Sequence, residues 1–123
     1  MHTTIIATGA INAFIATACG AFAAHVLKGN ISEHYLGVFH TGADYHMYHA
    51  LGLILVGLIY MHRPARLLVF SAWLLFAGIL LFSGSLYILS LSGLTWLGMI
   101  TPLGGLCFLA AWLLLALSQF LSN

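Results

Sequence analysis

The chain has 123 residues, of which 63% are hydrophobic and 4% charged, with a formal net charge of +1. A soluble domain carries about 25% charged residues, so that class is excluded, and the small charge excludes an electrostatic nucleic-acid surface. The charged side chains are Lys28, Glu33, Asp44, Arg63 and Arg66, and the two cysteines, Cys19 and Cys107, lie inside apolar runs. Such cysteines form neither a disulfide framework nor a spaced zinc motif and read as small core residues.

A helix crossing a ~30 Å hydrocarbon core needs about 20 apolar residues. Residues 1–27 carry no charge, which places a first span at about 4–27, stopped by Lys28-Gly29-Asn30. Ala21-Phe22-Ala23 has the small-x-small spacing of a signal-peptide cleavage site. The segment has no basic n-region and is longer than a typical h-region, so it is expected to be retained. In residues 31–42, Ile31, Tyr35, Val38 and Phe39 fall at i, i+4, i+7 and i+8. That spacing predicts a short amphipathic helix on the bilayer surface, with a polar loop as the alternative. A second span is expected at about 45–61, between Asp44 and His62-Arg63-Pro64, where the residue before proline is disfavoured in a helix.

No charged residue follows Arg66. At ~1.5 Å per residue, the remaining chain is too long for one crossing. Ser90-Leu91-Ser92-Gly93 supplies a turn, and Thr101-Pro102 reads as an N-cap followed by proline at the first helical position. A third span is therefore expected at about 67–91 and a fourth at about 102–121. The expected fold is one all-α membrane domain over residues 1–123, a four-transmembrane-helix bundle with a short interfacial helix between the first two spans. Arg63 and Arg66 on one side, against Lys28 on the other, orient both termini to the cytoplasm.

Burying leucine does not drive helices together in lipid; close approach through small residues does. The candidate packing positions are Gly9, Ala13, Ala16, Gly20 and Ala24 in the first span. In the third they are Ser71, Gly78, Ser85 and Ser92, with Gly84 adjoining, and in the fourth Gly104, Cys107, Ala111 and Ser118. Trp96 suits an interfacial belt, and Trp73 and Trp112 suit lipid contact or packing.

Seven histidines stand in this apolar chain. His25, His34, His40, His46 and His49 fall on one side of the membrane in this topology, where the third span brings Ser83, Ser85 and Tyr87 and the fourth begins at Thr101. An unpaired polar group in hydrocarbon costs several kcal/mol, so an internal cluster of His25, Tyr45, His49, Ser83 and Tyr87 is expected, with Thr101 at its edge. Three readings of the cluster stay open: a structural hydrogen-bond network, a ligand or metal site, and a proton or small-solute path. The weak metal candidates are His25, His46 and His49, with His40 and Asp44 at spacings compatible with Zn or Cu. A haem between two helices would lack the C-x-x-C-H attachment motif, and no cofactor is defined. There is no phosphate loop, nucleophile elbow or HExxH. Ser83-Gly84-Ser85 has no acidic residue near it in sequence to complete a triad, so an enzyme is not expected. The expected partners are the lipid bilayer and, through the small-residue stripes, a second copy or a larger membrane complex; nucleic acid is not among them.

Gly20-Ala21-Phe22-Ala23-Ala24-His25-Val26-Leu27-Lys28 resembles the GAFGAHGLK motif of the YgdD/YwdK-like family of small bacterial inner-membrane proteins. Tyr45-His46-Met47-Tyr48-His49-Ala50-Leu51 is similar to its YQMYHAL motif. Leu81-Phe82-Ser83-Gly84-Ser85-Leu86-Tyr87 and Ile100-Thr101-Pro102-Leu103-Gly104-Gly105 look like two further signatures. The resemblance spans nearly the whole chain in the same order. It implies a four-helix protein of the bacterial plasma membrane, and no established activity, substrate or cofactor. His46 stands where the family often has glutamine, and Ala23 and Val26 where it often has glycine. The resemblance therefore shifts weight from the His46/His49 pair to His25 with His49.

Overall fold

A computed structural model describes residues 1–121, which are almost entirely helical and contain no β-strand. Four rods account for them. Helix α1 is His2–Leu27, its last turn, Ala23–Leu27, being wide and π-helical. Helix α2 is Glu33–His62. Helix α3 is Arg66–Ser92, interrupted by a π-turn at Ile79–Ser83. A short 3-10 segment, Thr95–Met99, leads into α4, Thr101–Phe120.

The links follow local chemistry. After α1, Gly29 takes φ +85°, a conformation that costs glycine little. The Asn30 and Ile31 amides then donate to the Leu27 carbonyl at 2.8 and 3.2 Å. The Ser32 hydroxyl caps α2 by accepting from the Tyr35 amide at 3.1 Å, and Glu33 in the first turn complements the helix dipole. Helix α2 stops at His62, immediately before Arg63-Pro64. Gly93 ends α3 in the left-handed conformation, φ +76°.

Two expectations about element boundaries are corrected. Residues 31–42 do not form a separate interfacial helix: from Glu33 onward they are the first turns of α2, which continues through Asp44 without a break for 30 residues, about 45 Å. The amphipathic pattern is real, but its apolar side meets α1 instead of a bilayer surface: Leu36 and Phe39 pack with Ala23 and Leu27. Thr101 is not the N-cap of α4. Ile100 holds that position, and Thr101 is the first helical residue, followed by Pro102.

Helix α2 is the centre of the bundle. Helix α1 packs chiefly on α2, and α4 chiefly on α3, with α3 also against α2. Close approach is made by Gly9 against the Ala50–Ile54 turn, by Gly57 against Ile6, by Gly78 against Phe108 and by Gly104 against the Phe82 backbone. Ala16 is buried and Ala13 half-buried. Gly20 and Gly84, expected in the packing faces, meet no neighbouring helix, and Ala24 is exposed. Ser92, expected on the stripe of Ser71, Gly78 and Ser85, is exposed while Ser83 and Ser90 are buried. The π-turn adds a residue to the helical count and so rotates the following segment by about 100° relative to an uninterrupted helix.

The apolar interior is in two parts. One, toward the chain termini, contains Ile5, Leu53, Val56, Leu68, Leu75 and Phe108. The other, toward the opposite end, contains Ala23, Leu27, Leu36 and Phe39. Three segments, His2–Leu27, Arg66–Ser92 and Thr95–Phe120, are long and apolar enough to cross a membrane.

Candidate functional site: a polar layer between two apolar cores

Between the two cores lies a layer of buried polar groups, and His46 is its centre. The imidazole is 4% exposed. Its Nε2 is 2.9 Å from Asn12 Oδ1 on α1, and its Nδ1 is 2.9 Å from the Tyr87 hydroxyl on α3. The direction of these bonds can be worked out from Asn12, whose Nδ2 donates to the Thr8 carbonyl at 2.9 Å. A carbonyl only accepts, so the amide nitrogen points at Thr8 and the amide oxygen at His46. Nε2 must then carry a proton, and in the neutral ring Nδ1 is the acceptor. The chain therefore runs one way: Tyr87 O–H to His46 Nδ1, His46 Nε2–H to Asn12 Oδ1, Asn12 Nδ2–H to Thr8 O. Every polar atom of the neutral imidazole is used, and three helices are joined through one side chain.

The other residues of the layer make shorter links. Ser83 Oγ, in the π-turn of α3, donates to the Gly42 carbonyl of α2 at 2.7 Å. Ser85 and Thr101 hydroxyls, on α3 and α4, are 2.6 Å apart; well outside the layer, beside the terminal core, Ser71 Oγ donates to the Ala111 carbonyl of α4 at 2.8 Å. His49 Nδ1–H donates to the Tyr45 carbonyl of its own helix at 2.6 Å. Its ring lies flat on Phe108, with centroids 3.5 Å apart and planes within 4°. Tyr45 contacts Phe82 and Phe108 through its ring. Among the described residues no buried side-chain polar atom is left without a partner.

The expected cluster is thus only partly one cluster. His49, Ser83, Tyr87 and Thr101 share the layer, but only Tyr87 bonds to its centre, and Tyr45, expected inside, is exposed with only its ring against Phe82 and Phe108. His25 stands outside it: the residue is exposed, in the π-helical last turn of α1. The extra residue of that turn changes which face His25 occupies, and helical periodicity alone does not reveal it. His46, which the resemblance had set aside, holds the position assigned to His25. Asn12 was not anticipated. The available signal was a lone carboxamide in the middle of an apolar run, where an amide needs a partner.

The metal candidates do not converge. Both nitrogens of His46 are engaged, His25, His40 and Asp44 are exposed, and among the described residues no group of three or more His, Cys, Asp or Glu is placed to hold a metal ion.

Residues 19–105 match the family described as "Protein of unknown function (DUF423)". The chain is 52% identical over 114 residues to UPF0382 membrane protein YwdK of Bacillus subtilis, covering 92% of this chain and 93% of that one. It is 46% identical over 115 residues to UPF0382 membrane protein SAB0533 of Staphylococcus aureus, covering 94% and 93%. It is 45% identical over 115 residues to UPF0382 membrane protein SH2409 of Staphylococcus haemolyticus, again covering 94% and 93%. No solved structure matches.

Proposed function

The chain belongs to the DUF423 family, whose relatives are named membrane proteins, and on that premise we propose a non-enzymatic, four-span protein of the bacterial plasma membrane. Both termini face the cytoplasm, and the polar layer holds the helices in register. Packing supports the fourth crossing. Helix α2 runs antiparallel along α1, from the Leu27–Leu36 contact at one end to the Ile6–Gly57 contact at the other. It also packs against α3. A helix enclosed between two membrane-length neighbours crosses with them. Its lower hydropathy has a local cause: Gly42, His46, His49, Gly52 and Gly57 are buried against protein, and hydropathy measures fitness to face lipid.

The observation that carries the structural role is the closed chain from Tyr87 through His46 and Asn12 to Thr8. A transport path or a ligand site needs a group free to exchange partners. Here the central imidazole has none to spare, and neither carboxylate, Glu33 or Asp44, is buried. The test is a pair of measurements on protein reconstituted in sealed vesicles and in mild detergent. The reading predicts vesicles that hold an imposed pH gradient as well as protein-free ones, and metal-free, colourless protein. A proton leak abolished by His46→Leu, or a stoichiometric metal lost with it, would overturn the reading.

A further inference from the structure

Helices α1 and α3 flank α2, and toward the end that carries the chain termini a groove of about 440 Å³ lies between them. Leu53 of α2 is among its lining residues, Ile5 and Thr8 line it from α1, and Ala72, Trp73 and Phe76 line it from α3. The Thr8 hydroxyl is already spent on the Thr4 carbonyl at 2.7 Å, so the inner wall offers water little, and the exposed Met1 and Thr4 also belong to the lining. Left empty, the walls would lose dispersion contacts. An apolar chain is the occupant that satisfies them.

A second depression adjoins the groove at Val69, which lines both. That depression has Tyr60 and Arg66 in its wall. Arg66 is one of only three basic residues in the chain, and Glu33 and Asp44 lie toward the other end of α2. The surface therefore grades from apolar to cationic along the direction in which a lipid grades from acyl chain to headgroup. An arginine also pairs with phosphate in two-pronged geometry.

We propose that this groove is a binding site for an anionic phospholipid, its acyl chain between α1 and α3 and its phosphate at Arg66. The site rests on the reading of the chain as a bilayer-spanning protein with its Arg66 end at a headgroup layer. The test is native mass spectrometry of the purified protein, loaded with equal phosphatidylglycerol and phosphatidylcholine, alongside flotation with vesicles of each lipid. The expected result is retained phosphatidylglycerol in preference to phosphatidylcholine. Arg66→Gln should lower that preference about five-fold, the scale of one basic residue at a membrane surface. Arg63→Gln should leave it unchanged, because Arg63 lines neither the groove nor the depression that carries Arg66. Thr4→Trp, at an exposed position that lines the groove, should lower retention of both lipids. Equal retention of the two lipids would overturn the proposal, as would equal effects of Arg66→Gln and Arg63→Gln, or displacement of the lipid by millimolar inorganic phosphate. So would a dimer that Thr4→Trp dissociates, which would make a second copy the occupant. Failure to float with either vesicle would overturn the membrane reading as well, whereas equal flotation with no preference removes the lipid site alone.

Discussion

His46 joins three helices because its ring has two nitrogens of opposite character, one donating and one accepting, and each finds a partner of the matching kind. Removing the ring strands the buried Asn12 amide oxygen and the half-buried Tyr87 hydroxyl. His46→Leu is expected to cost about 1–3 kcal/mol, read as a lower melting temperature in detergent. A double-mutant cycle of His46→Leu with Tyr87→Phe should give a coupling of about 0.6 kcal/mol, the mean for hydrogen bonds between membrane helices, and no more than about 1.7; additive effects would mean that the two side chains do not interact. His25→Ala, at an exposed position, should change stability by less than about 0.5 kcal/mol. The composition of the layer was legible in the sequence, since histidine, serine and tyrosine in hydrocarbon must be satisfied. Its centre was not. Periodicity assigns faces only along regular helices, and the π-turns of α1 and α3 contain His25 and Ser83.

At the scale of elements, α2 explains most of what differs from a reading by charge and hydropathy. Asp44 looked like a boundary, yet a carboxylate on an exposed helical face does not interrupt backbone hydrogen bonding. The ends of the helices were legible because they depend on local chemistry: Gly29 and Gly93 at positive φ, and Pro64 after α2. Continuity through residues 33–44 was not, because it depends on packing of Leu36 and Phe39 against α1. Gly37 is inside that helix and a methyl group there meets nothing, so Gly37→Ala should stabilise the protein by about 0.8–1 kcal/mol. No gain in melting temperature would argue that the segment is not helical. Glycines at helix crossings should behave oppositely. A methyl group at Gly104 would collide with the Phe82 backbone, and at Gly20 it meets nothing. Gly104→Ala is therefore expected to lose about 1–3 kcal/mol, while Gly20→Ala loses none; equal melting temperatures would contradict the close approach of α3 and α4.

Across the whole molecule, two apolar cores are separated by a polar layer that links α1 to α2, α2 to α3 and α3 to α4. Apolar packing in a bilayer gives little preference for one register over another, whereas directional bonds at one level do. The all-α class and the membrane character follow from composition. The central place of α2 does not, because its buried His46 and His49 and its exposed Glu33, His34, His40 and Asp44 all depress the hydropathy by which a span is recognised. A four-span bundle requires that α2 cross the bilayer, and side-selective cysteine labelling decides it. Cys19 and Cys107 would be replaced by alanine, and single cysteines placed at positions 30, 63 and 93. In a four-span bundle with cytoplasmic termini, a membrane-impermeant reagent added outside intact cells labels 30 and 93 but not 63. Labelling of 30 and 63 from the same side would mean that α2 does not cross, and would contradict the four-span bundle.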